Sequence, residues 1–458
     1  MMLRRIALIA LLGLAAPLSA TTPSVHEHTL DNGLKVIVKE DHRAPVVVSQ
    51  VWYKVGSSYE HNGITGVSHV LEHMMFQGTK THPPGEFSRI IASHGGRENA
   101  FTSRDYTAYF QQLEKDRLEV SFELEADRMR NLALNDEFFQ KERRVVMEER
   151  RLRTEDNPQA LTAERFNAVA YLTSPYRNPV IGWMEDLQRL TLQDLQSWYE
   201  SWYAPNNATL VVVGDVRPDE VFALAQKHFG VLERRPVPAV APPLEVEQRG
   251  LARLTVKVPA ELPYLIMGYK TPVLKTAGET WEPYALEVLA GILDGGASAR
   301  FARELVRGQQ VAAGAGAGYN LYARGDGLFT LSGTPAQGRT MEELEQALRE
   351  QVRRVREEPV TAAELERVKA QVVAGNVYER DSLFYQAMQI GILETVGLDW
   401  RVADEYVDRV KAVTAEQVQQ VARKYLKDES LTVAVLDPLP LDPNKPRPMP
   451  NNGGDHVR

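Results

Sequence analysis

His69-Val70-Leu71-Glu72-His73 reads H-x-x-E-H, two histidines separated by one helical turn with a glutamate beside them. On a helix, positions 69 and 73 share a face. Two imidazoles at that spacing can grip one zinc ion. Glu72 lies on the same side and can reach a water bound to that metal. Val67, Val70, Leu71, Met74 and Met75 form an apolar set around the turn, while His69, Glu72, His73 and Phe76 form a second stripe. Ser68 is the expected cap-region residue and Gly78 the expected stop. The competing reading is a buried helix with two hydrogen-bonded histidines. It leaves Glu72 buried between them without partners in the local sequence.

A zinc centre that does chemistry takes three protein ligands and keeps a fourth position open. The chain has no cysteine, so the third ligand is His, Asp or Glu. Residues 120–153 read as helical and rich in Glu, Arg and Leu, with a break near Asn131 to Asp136. In the second part Glu142 and Glu149 stand two turns apart and share a face. Glu148 points elsewhere and suits a solvated charged face. The remaining histidines (His26, His28, His42, His61, His82, His94, His228 and His456) have no comparable spacing and read as surface or loop residues.

Glu142-Arg143-Arg144-Val145-Val146-Met147-Glu148-Glu149 is similar to the E-R-x-V-[IV]-x-x-E segment that follows H-x-x-E-H in the pitrilysin or insulinase family, the inverzincin peptidases. The stretches His73 to Thr79, Gly95 to Ser103, Ser174 to Gly182 and Tyr203 to Thr209 resemble further family landmarks in the same order. The resemblance implies Glu149 as third zinc ligand and Glu142 as a glutamate behind the ligands that orients the site. It implies one Zn2+ per chain and a zinc endopeptidase acting on unstructured peptides, with Glu72 as general base. It places Asn99 and Ala100 on an edge strand, where an extended peptide can pair through main-chain hydrogen bonds. Phe76 and Phe101 are candidates for lining a side-chain pocket, or else belong to the core. The implied fold class is α+β, two similar domains, each a mainly antiparallel sheet packed with helices.

One departure from the family stands out. The family's second half carries an Arg followed seven residues later by a Tyr, which hold the substrate carbonyl. Here Val306 and Ala313 occupy those positions. The implied partner is a pitrilysin-like, non-catalytic subunit that carries the Arg/Tyr pair. A self-sufficient homodimer and a non-enzymatic assembly subunit are the alternatives.

At 458 residues, 43% hydrophobic and 25% charged, the chain has the composition of a globular protein of two or more domains. A net charge of −8 argues against a nucleic-acid binder. Segment 1–20 reads as a signal peptide: Arg4 and Arg5, an apolar core too short for a membrane span, then Pro17-Leu18-Ser19-Ala20. The expectation is an exported protein, periplasmic in a cell with an outer membrane, with no membrane span once the leader is removed. An uncleaved amino-terminal anchor is the alternative. Segment 21–235 is read as the catalytic zinc domain, 236–244 as a Pro-rich linker, 245–436 as the second domain and 437–458 as a Pro-rich tail. The end of the first domain (Leu190-Thr191-Leu192, Trp202-Tyr203, Leu210 to Val213) has an echo in the second (Val413-Thr414-Ala415, Lys424-Tyr425, Leu431 to Val435), which suggests an internal repeat.

Overall fold

The structure, a computed structural model, describes residues 25–441. The leader read at 1–20 and most of the tail read at 437–458 lie outside the described residues. Two sheets organise the chain. The first contains β1 (Val25–Thr29), β2 (Lys35–Glu40), β3 (Val46–Tyr53), β4 (Arg97–Thr102), β5 (Thr107–Glu114) and β6 (Ala208–Gly214), in the order β1-β2-β6-β3-β5-β4. The second contains β7 (Ala252–Pro259), β8 (Tyr264–Thr271), β9 (Ala312–Gly318), β10 (Gly327–Pro335) and β11 (Leu431–Leu439), in the order β7-β11-β8-β10-β9. Without β1 the two orders correspond strand for strand. Each sheet has one parallel pair, β2 with β6 and β7 with β11, and is otherwise antiparallel. The α+β expectation holds, and so does the repeat.

The helices of the first half are α1 (Val67–Met74), α2 (Glu86–Ser93), α3 (Leu118–Asn131), α4 (Asp136–Arg150), α5 (Pro158–Ala170), α6 (Met184–Arg189), α7 (Leu192–Trp202) and α8 (Pro218–His228). Those of the second are α9 (Trp281–Asp294), α10 (Met341–Glu357), α11 (Ala362–Glu379), α12 (Leu383–Val396), α13 (Val402–Ala412) and α14 (Ala415–Tyr425). The expected break near Asn131 to Asp136 separates α3 from α4, where Asn135 caps the new helix by accepting from Phe138 N. The echoing segments start α7 and α14, each with a capping box, Thr191 with Asp194 and Thr414 with Gln417. Among the described residues no helix is long and apolar enough to cross a membrane.

Each sheet is covered on one face by its own half's helices and on the other by a helix from the opposite half. Helix α12 packs on β3 and β6, and α5 packs on β11, β7 and β8. Both crossings need a glycine under an aromatic ring. A Cβ at Gly391 of α12 would meet Trp52 of β3 at 2.0 Å, and one at Gly268 of β8 would meet Phe166 of α5 at 2.5 Å. Phe166 is 2% exposed, so truncating it to Ala should cost about 3–5 kcal/mol. A buried polar contact also joins the halves. Arg324 lies over the Tyr59 ring at 3.9 Å, its N–H donates to Asp105 Oδ2 at 3.1 Å, and Tyr176 donates to the same oxygen at 2.5 Å.

Candidate metal centre

Helix α1 is held at its N-terminus by carboxylates from outside the helix. Glu60 accepts from Gly66 N at 2.7 Å and from Ser68 N at 2.9 Å. Asp186 Oδ2 accepts from Gly63 N at 3.1 Å and Thr65 Oγ1 at 2.6 Å. Negative groups here satisfy N–H groups that the helix itself leaves open and suit its dipole. Ser68, the cap-region residue the sequence suggests, makes no cap with its hydroxyl, and the helix begins one residue after the left-handed Gly66 (φ 88°). Burial pushes the Glu60 carboxyl up to about 7, against the pull of the two N–H donors. The helix ends at Met74, and turn bonds from Phe76 N and Gln77 N carry the chain on to Gly78 (φ 92°).

Helix α4 packs alongside α1. Arg150 fixes the register between them. It is buried, pairs with Glu164 at 2.7 and 2.9 Å, and donates to Gly182 O at 2.8 Å. Gly182 in turn packs so closely on Gly66 that a Cβ at Gly66 would meet Gly182 Cα at 3.0 Å and Ile181 O at 2.7 Å. The residue before Arg150 is Glu149, so the end of α4 and the start of α1 are clamped around one point.

His69, His73 and Glu149 converge there. Their ligand atoms lie within 4.8 Å of one another. Glu149 Oε1 is 3.7 Å from His69 Nε2, and Oε2 is 3.5 Å from His73 Nε2. Donors on a tetrahedral zinc at ~2.0–2.1 Å are about 3.3 Å apart, so the set is close to the spacing a zinc ion needs. Two imidazoles and one carboxylate also match the donor set of a hydrolytic zinc site, and the residues present fit the metal. His73 Nδ1 faces Glu142 Oε2 at 3.3 Å, while Gln77 Nε2 donates to Glu142 Oε1 at 3.1 Å. Glu142 is 3% exposed. It holds the imidazole so that Nε2 is turned to the ligand cluster. Burial pushes the Glu149 carboxyl upward, but the hydrogen bond from His73 and the charges of His69 and Arg153 outweigh it and hold it at about 2. Glu148 points away, as expected, and pairs with Arg151 at 2.8 Å on an exposed face.

Glu72 precedes His73 on α1, and its Oε2 accepts from Thr102 Oγ1 at 2.5 Å. Thr102 belongs to β4, the outer strand of the first sheet. Residues 98, 100 and 102 face α1, whereas 99 and 101 face the opposite side, by the alternation of a strand. Ala100 accordingly lies in the core with α1. Its N–H donates to Asn99 Oδ1 at 2.9 Å, and β4 is the outer strand of the sheet.

Of the two readings of Phe101, pocket lining or core, its packing fits the core. It packs under the sheet against Trp52 at 5.3 Å and Phe110 at 6.3 Å, in the cluster that meets α12. Strand alternation puts it on the face away from the metal ligands. Phe76 stays on the ligand side, packed against Tyr109 and Arg128. Thr102, Glu60 and Gln77 were not singled out from the sequence as site residues. Alternation along β4 was the available signal for Thr102, while nothing local marks Glu60 as the cap of α1. A separate cleft of about 890 Å³ lies between the halves, lined by Lys39, Arg43, Arg380 and Asp404 among others, and contains none of the ligand group.

The family model for insulinase (peptidase family M16) matches residues 35–182, and the model for the peptidase M16 inactive domain matches residues 189–372. The zinc protease PqqE of Helicobacter pylori is 32% identical over 437 residues, covering 94% of this chain and 97% of its own. An uncharacterized zinc protease of Mycobacterium leprae is 29% identical, covering 95% of this chain and 96% of its own. The crystal structure of a protease from Helicobacter pylori superposes with a TM-score of 0.86 at 31% identity, covering 91% of this chain and 100% of that one. With this agreement across both halves, the chain belongs to the insulinase family, peptidase family M16.

Proposed function

We propose that the chain is a zinc-dependent endopeptidase that hydrolyses unstructured peptides. The convergence of His69, His73 and Glu149 beside an independently anchored Glu72 carries this reading. When bound, zinc supplies an electrophile for the scissile carbonyl and lowers the pKa of the attacking water. Glu72 takes a proton from that water as its oxygen bonds to the carbonyl carbon. As the C–N bond breaks, Glu72 passes the proton to the leaving nitrogen. Glu142 keeps the His73 ring oriented. The free edge of β4, with Ala100 N–H on it, offers main-chain pairing to an extended peptide.

The Arg/Tyr pair of the family is replaced by Val306 and Ala313. Val306 packs against the second core, and Ala313 is exposed on the outer strand β9. Neither side chain can donate a hydrogen bond to a carbonyl. The reading therefore includes a pitrilysin-like, non-catalytic subunit that supplies the pair. The test is cleavage of a quenched peptide library by the mature chain, alone and mixed with such a subunit. Activity in the mixture alone, abolished by chelator and restored by zinc, is expected. Full activity of the chain alone removes the partner from the reading. Zinc-loaded protein that cleaves nothing in either state removes the peptidase itself.

A further inference from the structure

The Glu72 carboxylate takes a hydrogen bond from a residue on another element. Thr102 Oγ1 lies 2.5 Å from Glu72 Oε2 and 3.5 Å from Thr107 Oγ1. The hydroxyl has one proton to give. Thr107 donates its own to Val55 O at 3.0 Å. The much shorter contact directs the Thr102 proton to the carboxylate, as a charge-assisted bond of this length requires. We propose that Thr102 is a positioning residue for the peptidase reaction: its hydroxyl holds the Glu72 carboxylate through Oε2 and so fixes how that carboxylate is aligned. This deepens the peptidase reading and rests on it for the role of Glu72.

The placement has a second consequence. Thr102 is on β4, the outer strand that also carries the Ala100 N–H, which here donates to Asn99 Oδ1. One strand thus holds both the catalytic carboxylate and the edge offered to the substrate backbone. A peptide paired to β4 is registered against Glu72 through a single rigid element, with Thr102 two residues along from Ala100. The surrounding contacts make this arrangement stiff. Beneath Glu72, Tyr109 and Tyr203 are buried and joined hydroxyl to hydroxyl at 2.9 Å. Burial raises both phenols well above their ordinary value, so they stay neutral and compete for no proton at working pH.

The experiment compares Thr102→Val, which keeps the shape and removes the hydroxyl, with Thr102→Ser, which keeps the hydroxyl. Each is loaded with zinc, mixed with the non-catalytic subunit that the peptidase reading includes, and assayed beside the wild type in the same mixture. Expected for Thr102→Val is a kcat lower by about 10²-fold, the cost of a misaligned reacting group, with KM, bound zinc and thermal midpoint near wild type. Thr102→Ser recovers most of kcat. A Val variant with wild-type kcat overturns the proposal, and so does an equal loss in both variants. Loss of zinc or of the thermal midpoint in the Val variant makes Thr102 a structural residue and overturns it as well. Titration with a peptide hydroxamate gives a readout without turnover, because its hydroxyl must also find Glu72. Weaker binding by the Val variant alone supports the positioning role even if the wild type cleaves no peptide, the outcome that removes the peptidase reading instead. Equal hydroxamate binding by all three proteins overturns the proposal.

Discussion

Helix α1 and helix α9 are the same element of two copies of one design, and only α1 carries two histidines of a group that could hold a metal. Each follows the third strand in its half's sheet alignment and precedes the outer strand, β4 or β9. The register is unbroken. Glu72 precedes the first residue of β4 by as many positions as Glu287 precedes the first residue of β9. His69-Val70-Leu71-Glu72-His73 stands against Tyr284-Ala285-Leu286-Glu287-Val288. The glutamate is shared, and the two histidines are replaced by a tyrosine and a valine. Thr102 is matched by Ala317, so Glu287 has no hydroxyl donor from its outer strand.

The difference teaches how far position determines chemistry. Glu72 lies at the edge of a ligand group, with Thr102 on one oxygen. Glu287 is pushed up to about 7 by burial despite a hydrogen bond to Tyr406, and its Oε2 has no hydrogen-bond partner. The fold delivers a carboxylate to the same place twice. Two imidazoles, Glu149 and a threonine turn one into a candidate base, and burial leaves the other about half protonated near pH 7.

The largest effect should come from copying the second half into the first. His69→Tyr with His73→Val removes two of three ligands, and we expect no bound zinc by elemental analysis and no measurable peptidase activity. Tight zinc in that variant would break the comparison. Next is Glu72→Gln, which keeps the ligands and removes the base. Activity should fall by about 10²–10⁴-fold with zinc content unchanged, and a variant with near-normal turnover would show that the glutamate is as idle in α1 as in α9. Glu142→Ala frees the His73 ring and should weaken metal affinity or activity by about 10–100-fold, read by competition with a chromogenic chelator.

The smallest effect is on stability. The Glu287 carboxyl is raised from 4.5 to about 7, so between those values the folded state holds a proton that the unfolded state has lost. Wild-type stability contributed by this group is therefore full below about pH 4.5 and falls as pH rises through 7. Glu287→Gln removes that dependence. Relative to wild type it should gain up to about 3 kcal/mol at pH 8 over its standing at pH 5, measured by urea unfolding at both values. Parallel curves would show that burial does not penalise the charged form there.

Much of the site was legible because it is local or periodic. The ligand pair is a one-turn spacing within a single helix, and Glu142 and Glu149 lie two turns apart on another. Helix periodicity also separated Glu148 from them, and the structure agrees. Phe101 shows where such reading leaves a choice open. Its neighbours Ala100 and Thr102 face the ligands, but strand alternation sends its ring to Trp52 on the other face, and only the pairing with β5 and the cover by α12 make that face a core.

From its residues alone, then, this chain showed a repeat between its halves, a break between α3 and α4, and two histidines at zinc-binding spacing with a glutamate beside them, because each depends on spacing within a segment or on a similar segment elsewhere in the chain. The α+β fold and Glu149 as a third ligand came from its resemblance to the family. Tertiary structure alone decided that Glu60 caps α1, that Arg150 clamps α4 to the Gly182 loop, that Thr102 holds Glu72 and that each half lends a helix to the other's sheet. These are contacts between residues far apart in the chain. Their geometry is set by which surfaces pack together, and no local periodicity carries that information.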